Sequence, residues 1–152
     1  MKSSLHKILP WLALAGLAQG ADLTSSGDWI QTITAAHLSS GAGSDLQAQF
    51  ESVSGVTTLT VANASGAWSL RARRSGGQGH PDVTVYVKRT SGGGGSGSIS
   101  GGTAYMELTT SDAEIFSGSE ARSGISLQFK LTGLSRKVSP ATYLSSIIFT
   151  VQ

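Results

Sequence analysis

Ile125, Leu127, Phe129 and Leu131 fall on alternate positions, with Ser126, Gln128 and Lys130 between them. A period of two is the signature of an extended strand with one buried and one wet face. The pattern recurs. Val83, Val85 and Val87 alternate with Thr84, Tyr86 and Lys88, and Trp68, Leu70 and Ala72 with Ser69, Arg71 and Arg73. Tyr143, Ile147, Phe149 and Val151 share one face of the C-terminal run, where Ile148 makes the other face apolar too. Shorter candidates are Trp29–Thr34, Leu46–Phe50, Val56–Val61 and Thr103–Leu108.

Clusters of Gly, Ser, Asn, Asp and Pro separate these runs, at Ser39–Ser44, Asn63–Gly66, Ser75–Pro81, Ser91–Gly102, Ser117–Gly124 and Leu134–Pro140. Gly supplies positive φ, and short polar side chains bond to nearby backbone in competition with regular ladders. No sustained apolar 3.6 period appears beyond Gly20. The best helical fragment is a single turn opened by Ser111-Asp112-Ala113-Glu114, in the pattern of a capping box. The expectation is an all-β domain, an antiparallel immunoglobulin-like β-sandwich of about seven to eight strands, with a β-barrel as the alternative.

The first 20 residues, MKSSLHKILPWLALAGLAQG, are read as an address. Lys2 and Lys7 precede an apolar run from Ile8 to Ala18, and Ala18-Gln19-Gly20 places small residues around a cleavage point. That is the layout of a secretory signal peptide, with an apolar run too short to span a bilayer. Eleven Lys and Arg oppose nine Asp and Glu, and Lys2 and Lys7 are the only charges before Gly20, so residues 21–152 are formally neutral. The basic balance therefore gives no reason to expect nucleic acid as a partner. No later segment is long and apolar enough to be a membrane span. The chain has no Cys, which removes disulfides, thiol catalysis and thiolate-ligated metals. Residues 21–152 are expected to be one secreted domain, with the Gly/Ser-rich segment 91–102 as a flexible loop inside it.

Ser139-Pro140-Ala141-Thr142-Tyr143, followed by Ile147-Ile148-Phe149-Thr150-Val151, resembles the last turn and strand of secreted bacterial and archaeal sandwiches, in particular fimbrial subunits and spore-coat-U-like domains. The resemblance spans about 13 residues at the C-terminus. It implies a Tyr packed at a sandwich corner and a final strand that closes a sheet. The chain departs from fimbrial subunits in lacking a disulfide and in having a short, polar Ala21–Gly27 where an alternating donor segment would stand.

Catalytic groupings are sparse. His37 and His80 have no spacing suited to zinc, and His80-Pro81-Asp82 reads as a turn. No Gly-x-Ser-x-Gly occurs. Asp112 and Glu114 are the closest carboxylates, and no Asp-x-Asp-x-Asp pattern supports calcium. Gly92-x-Gly94-x-x-Gly97 matches a dinucleotide fingerprint only in form, since no helix follows it to receive a pyrophosphate. No catalytic residue, metal or cofactor is assigned. Asn63-Ala64-Ser65 is a glycosylation sequon, relevant in a eukaryotic secretory pathway.

One charge concentration remains: Arg71, Arg73, Arg74, Lys88 and Arg89. Alternation puts Arg71, Arg73 and Lys88 on wet faces, so pairing of their strands would make a basic stripe beside Tyr86. With Trp29, these residues form the candidate site for an anionic polymer or carbohydrate: Arg71, Arg73, Tyr86, Lys88 and Trp29. The plainer reading is a solubilising face whose cations meet acids on neighbouring strands. Trp68, in line with Leu70 and Ala72, is expected in the core. The leading expectation is a secreted, non-enzymatic structural or adhesive protein of a cell surface or extracellular matrix, assembling with itself through edge strands. A surface-polysaccharide-binding module is the alternative.

Overall fold

The computed structural model describes residues 20–75, 79–139 and 141–152. The expected leader lies outside them except for Gly20, as do residues 76–78 of one turn cluster and Pro140 of the C-terminal turn. Among these residues ten strands are formed, more than the seven to eight expected: β1 (Asp22–Ser26), β2 (Gln49–Glu51), β3 (Thr57–Ala62), β4 (Ala67–Arg74), β5 (Thr84–Ser91), β6 (Ile99–Gly101), β7 (Met106–Glu107), β8 (Ala113–Ser119), β9 (Arg122–Thr132) and β10 (Ile147–Val151). They make two antiparallel sheets, one of six strands in the order β1-β3-β9-β5-β7 with β2 also on β9, and one of four in the order β10-β4-β8-β6. The architecture is a β-sandwich and not a closed barrel. Among the described residues no helix is long and apolar enough to cross a membrane.

The predicted alternation is what fills the space between the sheets. Leu59 and Val61 of β3, Val85 and Val87 of β5, and Ile125, Leu127 and Phe129 of β9 face Trp68, Leu70 and Ala72 of β4 and Ile115 and Phe116 of β8 in one buried cluster. Burying each such aliphatic side chain contributes ~1.5–3 kcal/mol. Trp68 and Phe116 meet edge to face at 6.3 Å, and the Trp68 indole N–H donates to the Glu120 carbonyl at 2.8 Å. Gly118 stands opposite Trp68 on β8, where any Cβ would enter the indole ring.

Four expectations are revised. Trp29–Thr34 is not a strand: the place beside β3 is taken by β1, and the chain leaves the sheet at Gly27 (φ +95°) before one 3-10 turn at Ala35–His37. Ser111–Glu114 does not open a helix but leads into β8, and Ser117–Ser119, expected as turn, completes that strand. The C-terminal strand starts at Ile147, leaving Tyr143 ahead of it.

The Gly/Ser segment 91–102 also differs from a free coil. Its last part is β6, paired to β8, and Gly94 exchanges both backbone hydrogen bonds with Ser123, at 2.8 and 2.9 Å. The Arg122 guanidinium donates to the carbonyls of Gly92, Gly93 and Gly97. Gly93 adopts φ +65° against β9, where a Cβ would strike the Ser123 carbonyl. Gly here permits close backbone approach, and a charge-assisted fork of donors holds the carbonyls.

β2 and β3 lie end to end along the same edge of β9. Where the ladder breaks between them, the buried Ser52 hydroxyl accepts the Phe129 N–H at 2.9 Å. A polar side chain thus replaces the missing strand partner.

Candidate functional site

Arg71 and Arg73 lie on β4, in the four-stranded sheet, whereas Tyr86 and Lys88 lie on β5, in the six-stranded one. β4 pairs with β8 and β10, so the single stripe that direct pairing of β4 and β5 would make is not formed. Trp29 belongs to neither face. It is partly buried, stacked on Phe129 with ring centroids 6.4 Å apart.

The arginine face is charge-matched. Arg73 pairs with Asp112 at 3.5 Å, and Arg71 donates to the Asp112 carbonyl at 3.1 Å and stands opposite Glu114 in the β4–β8 register. This is the plainer reading expected of a solubilising face. Arg89 is occupied as well: its guanidinium donates twice to the Gly101 carbonyl and lies 5.8 Å from the Phe116 ring.

The outward face of the six-stranded sheet is built differently. Register places Glu51, Lys130, Tyr86 and Glu107 in one row across β2, β9, β5 and β7, all on the side opposite the core. Lys88 and Gln128 form the adjacent row. Tyr105, just before β7, lies beneath both lysines. The Lys88 ammonium is 4.3 Å from its ring centroid and that of Lys130 is 4.4 Å away, with Lys130 also 4.8 Å from the Tyr86 ring. Ammoniums at these distances are drawn to the negative ring faces. The Tyr105 hydroxyl is occluded beside the Glu51 carboxylate and, among the described residues, makes no hydrogen bond of good geometry. Its pKa is pushed up to about 12, first by desolvation and then by the neighbouring Glu51 carboxylate.

Comparison with family models, with curated proteins and with solved structures yields no match to this chain.

The histidines are committed locally. The Nδ1 of His37 accepts the Thr34 N–H at 3.0 Å, and its ring packs on Phe50 at 5.5 Å. The Nδ1 of His80 accepts the Asp82 N–H at 3.2 Å within its turn, and its ring meets Tyr143 edge-on at 5.4 Å. Among the described residues neither ring is joined by both a carboxylate and a Ser hydroxyl. Among the described residues no three His, Asp or Glu side chains gather as metal ligands.

Sequence reasoning selected Tyr86 and Lys88 and missed Lys130 and Tyr105. Lys130 was legible as a wet-face position of the strongest alternating run. Tyr105 was not, because it reaches the platform from a loop, and only the fold brings it across the sheet.

Proposed function

We propose that this protein is a secreted, non-enzymatic structural or adhesive component of a cell surface or extracellular matrix, assembling through the free edge of β10. The observation that carries this reading is the hydrogen-bond phase of that strand. Gln152 exchanges both backbone bonds with Ser69, and the Ser75 N–H reaches the Ser146 carbonyl. In an antiparallel pair such bonded positions recur every second residue. The N–H and C=O groups of Ile147, Phe149 and Val151 therefore point away from β4, while the side chains of these residues pack against the core. An edge of this kind is a template for another strand.

The other edges are less suited. β6 and β7 have three and two residues, and β1 carries Asp22, Thr24, Ser25 and Ser26. β1 is already paired with β3, so the reading makes β10 the acceptor and does not use the N-terminal segment as donor. The resemblance of the C-terminal stretch to fimbrial and spore-coat sandwiches points the same way. There the Tyr143 hydroxyl donates to the Ser139 carbonyl at 2.8 Å, bracing the turn before the last strand. Export rests on the signal-like leader, and the absence of turnover is supported by the local engagement of His37 and His80.

Sedimentation across a concentration series tests this. The protein is expected to self-associate, and Val151→Pro, which removes an outward N–H without touching the β4 ladder, is expected to remain monomeric while folded. A wild-type chain that stays monomeric at the highest concentration, or Val151→Pro that associates equally, overturns the reading.

A further inference from the structure

The two lysines on the six-stranded sheet are held in place by aromatic rings rather than by ion pairs, although Glu51 stands opposite Lys130 in the β2–β9 register. Lys88 and Lys130 converge on one ring, each within 4.4 Å of the Tyr105 centroid. Among the described residues neither ammonium lies in an ion pair. Glu51 and Glu107 share the face but are exposed at the two ends of the row. The ammoniums are closer to each other than a Debye length of about 10 Å, so their fields add.

We propose that this platform binds an acidic polysaccharide, one anionic group of which seats between Lys88 and Lys130. Each ammonium offers three donors and no acceptor, which suits a carboxylate or sulfate oxygen. The rings fix the long lysine stems before the ligand arrives, so less side-chain entropy is lost on binding. Two depressions among the described residues lie away from this face, one of about 250 Å³ beside Trp68 and Gln152 and one of about 390 Å³ beside Gly94 and Arg122. An open sheet face fits a chain laid across it rather than a small molecule held inside. Thr84, Thr132 and Gln49 form the next row beyond Lys130 and Tyr86, offering hydroxyl and amide groups to sugar hydroxyls.

The two acids narrow the polymer. Three strand spacings separate Glu51 from Glu107, about 14 Å. A nucleic acid, with closely spaced phosphates, would set negative charge against both carboxylates. A polysaccharide charged only on alternate sugars places one anion at the centre and neutral rings at the flanks. This inference does not depend on assembly through β10.

The test is retention of the purified protein on immobilised hyaluronan (carboxylate only) and chondroitin sulfate (carboxylate and sulfate), with dextran and duplex DNA as neutral and densely charged controls. Retention on hyaluronan, charged on alternate sugars, released by salt and stronger than on dextran or DNA, is expected, with weaker retention on chondroitin sulfate, which is charged on every sugar. Lys88→Gln/Lys130→Gln should lose at least tenfold in affinity, each single variant several-fold, and Lys88→Arg/Lys130→Arg should retain it. Arg71→Ala/Arg73→Ala should bind as wild type. No retention of the wild type on hyaluronan, equal or stronger retention on chondroitin sulfate or DNA, or loss in the arginine pair with the lysine variants unaffected overturns the proposal. Val151→Pro should still bind, which separates this outcome from failure of edge assembly.

Discussion

The two outward faces of the sandwich each carry a pair of cations on alternate positions of one strand or on neighbouring strands, and they treat them in opposite ways. On the four-stranded sheet Arg73 meets Asp112 at 3.5 Å, and Arg71 caps the carbonyl of the same residue. On the six-stranded sheet Lys88 and Lys130 rest on Tyr105 and Tyr86, with no acid in ion-pair contact among the described residues. The first arrangement spends its charge inside the molecule. The second orients its charge outward. Residues 21–152, formally neutral, can thus present a locally cationic surface, and bulk charge says little about where it lies.

Four substitutions sharpen this contrast, in decreasing order of effect. Arg122 is a third way of holding a cation, with its guanidinium bonded to three glycine carbonyls. Arg122→Ala should cost ~2–4 kcal/mol in denaturant unfolding, because charge-assisted bonds to half-buried carbonyls are lost together. Tyr105→Ala removes two ammonium–ring contacts and the packing beneath them. A loss of about 1–2 kcal/mol is expected by the same measurement, with Lys88→Gln/Lys130→Gln coupling to it in a double-mutant cycle. Arg73→Ala should cost no more than about 0.5–1 kcal/mol, because its half-exposed pair is screened by solvent.

Tyr105→Phe is the smallest change near neutral pH, since it deletes a hydroxyl that makes no hydrogen bond of good geometry among the described residues. Its effect appears in alkali. The folded-state pKa, about 12, exceeds the ordinary value of 10.0, so the unfolded chain loses its proton first. Stability attributable to this group is present below pH 10 and falls as pH rises toward 12. Unfolding followed across that window should be less steep in Tyr105→Phe than in wild type.

The layers of the fold were readable because β3, β4, β5 and β9 keep their alternation. β8 was not, and the reason is local. A register shift between Leu70 and Arg71 lets Ile115 and Phe116, adjacent in sequence, both point inward, which erases the period of two. β1 was hidden by its polar composition, since it is an edge strand burying little beyond Leu23. The candidate surface was half legible. Alternation placed Lys88, Tyr86 and Lys130 outward, but which strands share a sheet is a long-range fact. That fact separated Arg71 and Arg73 from Lys88 and brought Lys130 and Tyr105 to it.

The contrast between the faces has a direct spectroscopic test. In a carbon-resolved proton spectrum the Hε signals of Lys88 and Lys130 should be displaced upfield by the Tyr ring currents, and should return toward free-lysine values in Tyr105→Leu. Lys137, which has no ring beneath it among the described residues, serves as the internal reference. Signals of Lys88 and Lys130 that coincide with that of Lys137 in the wild type would contradict the account.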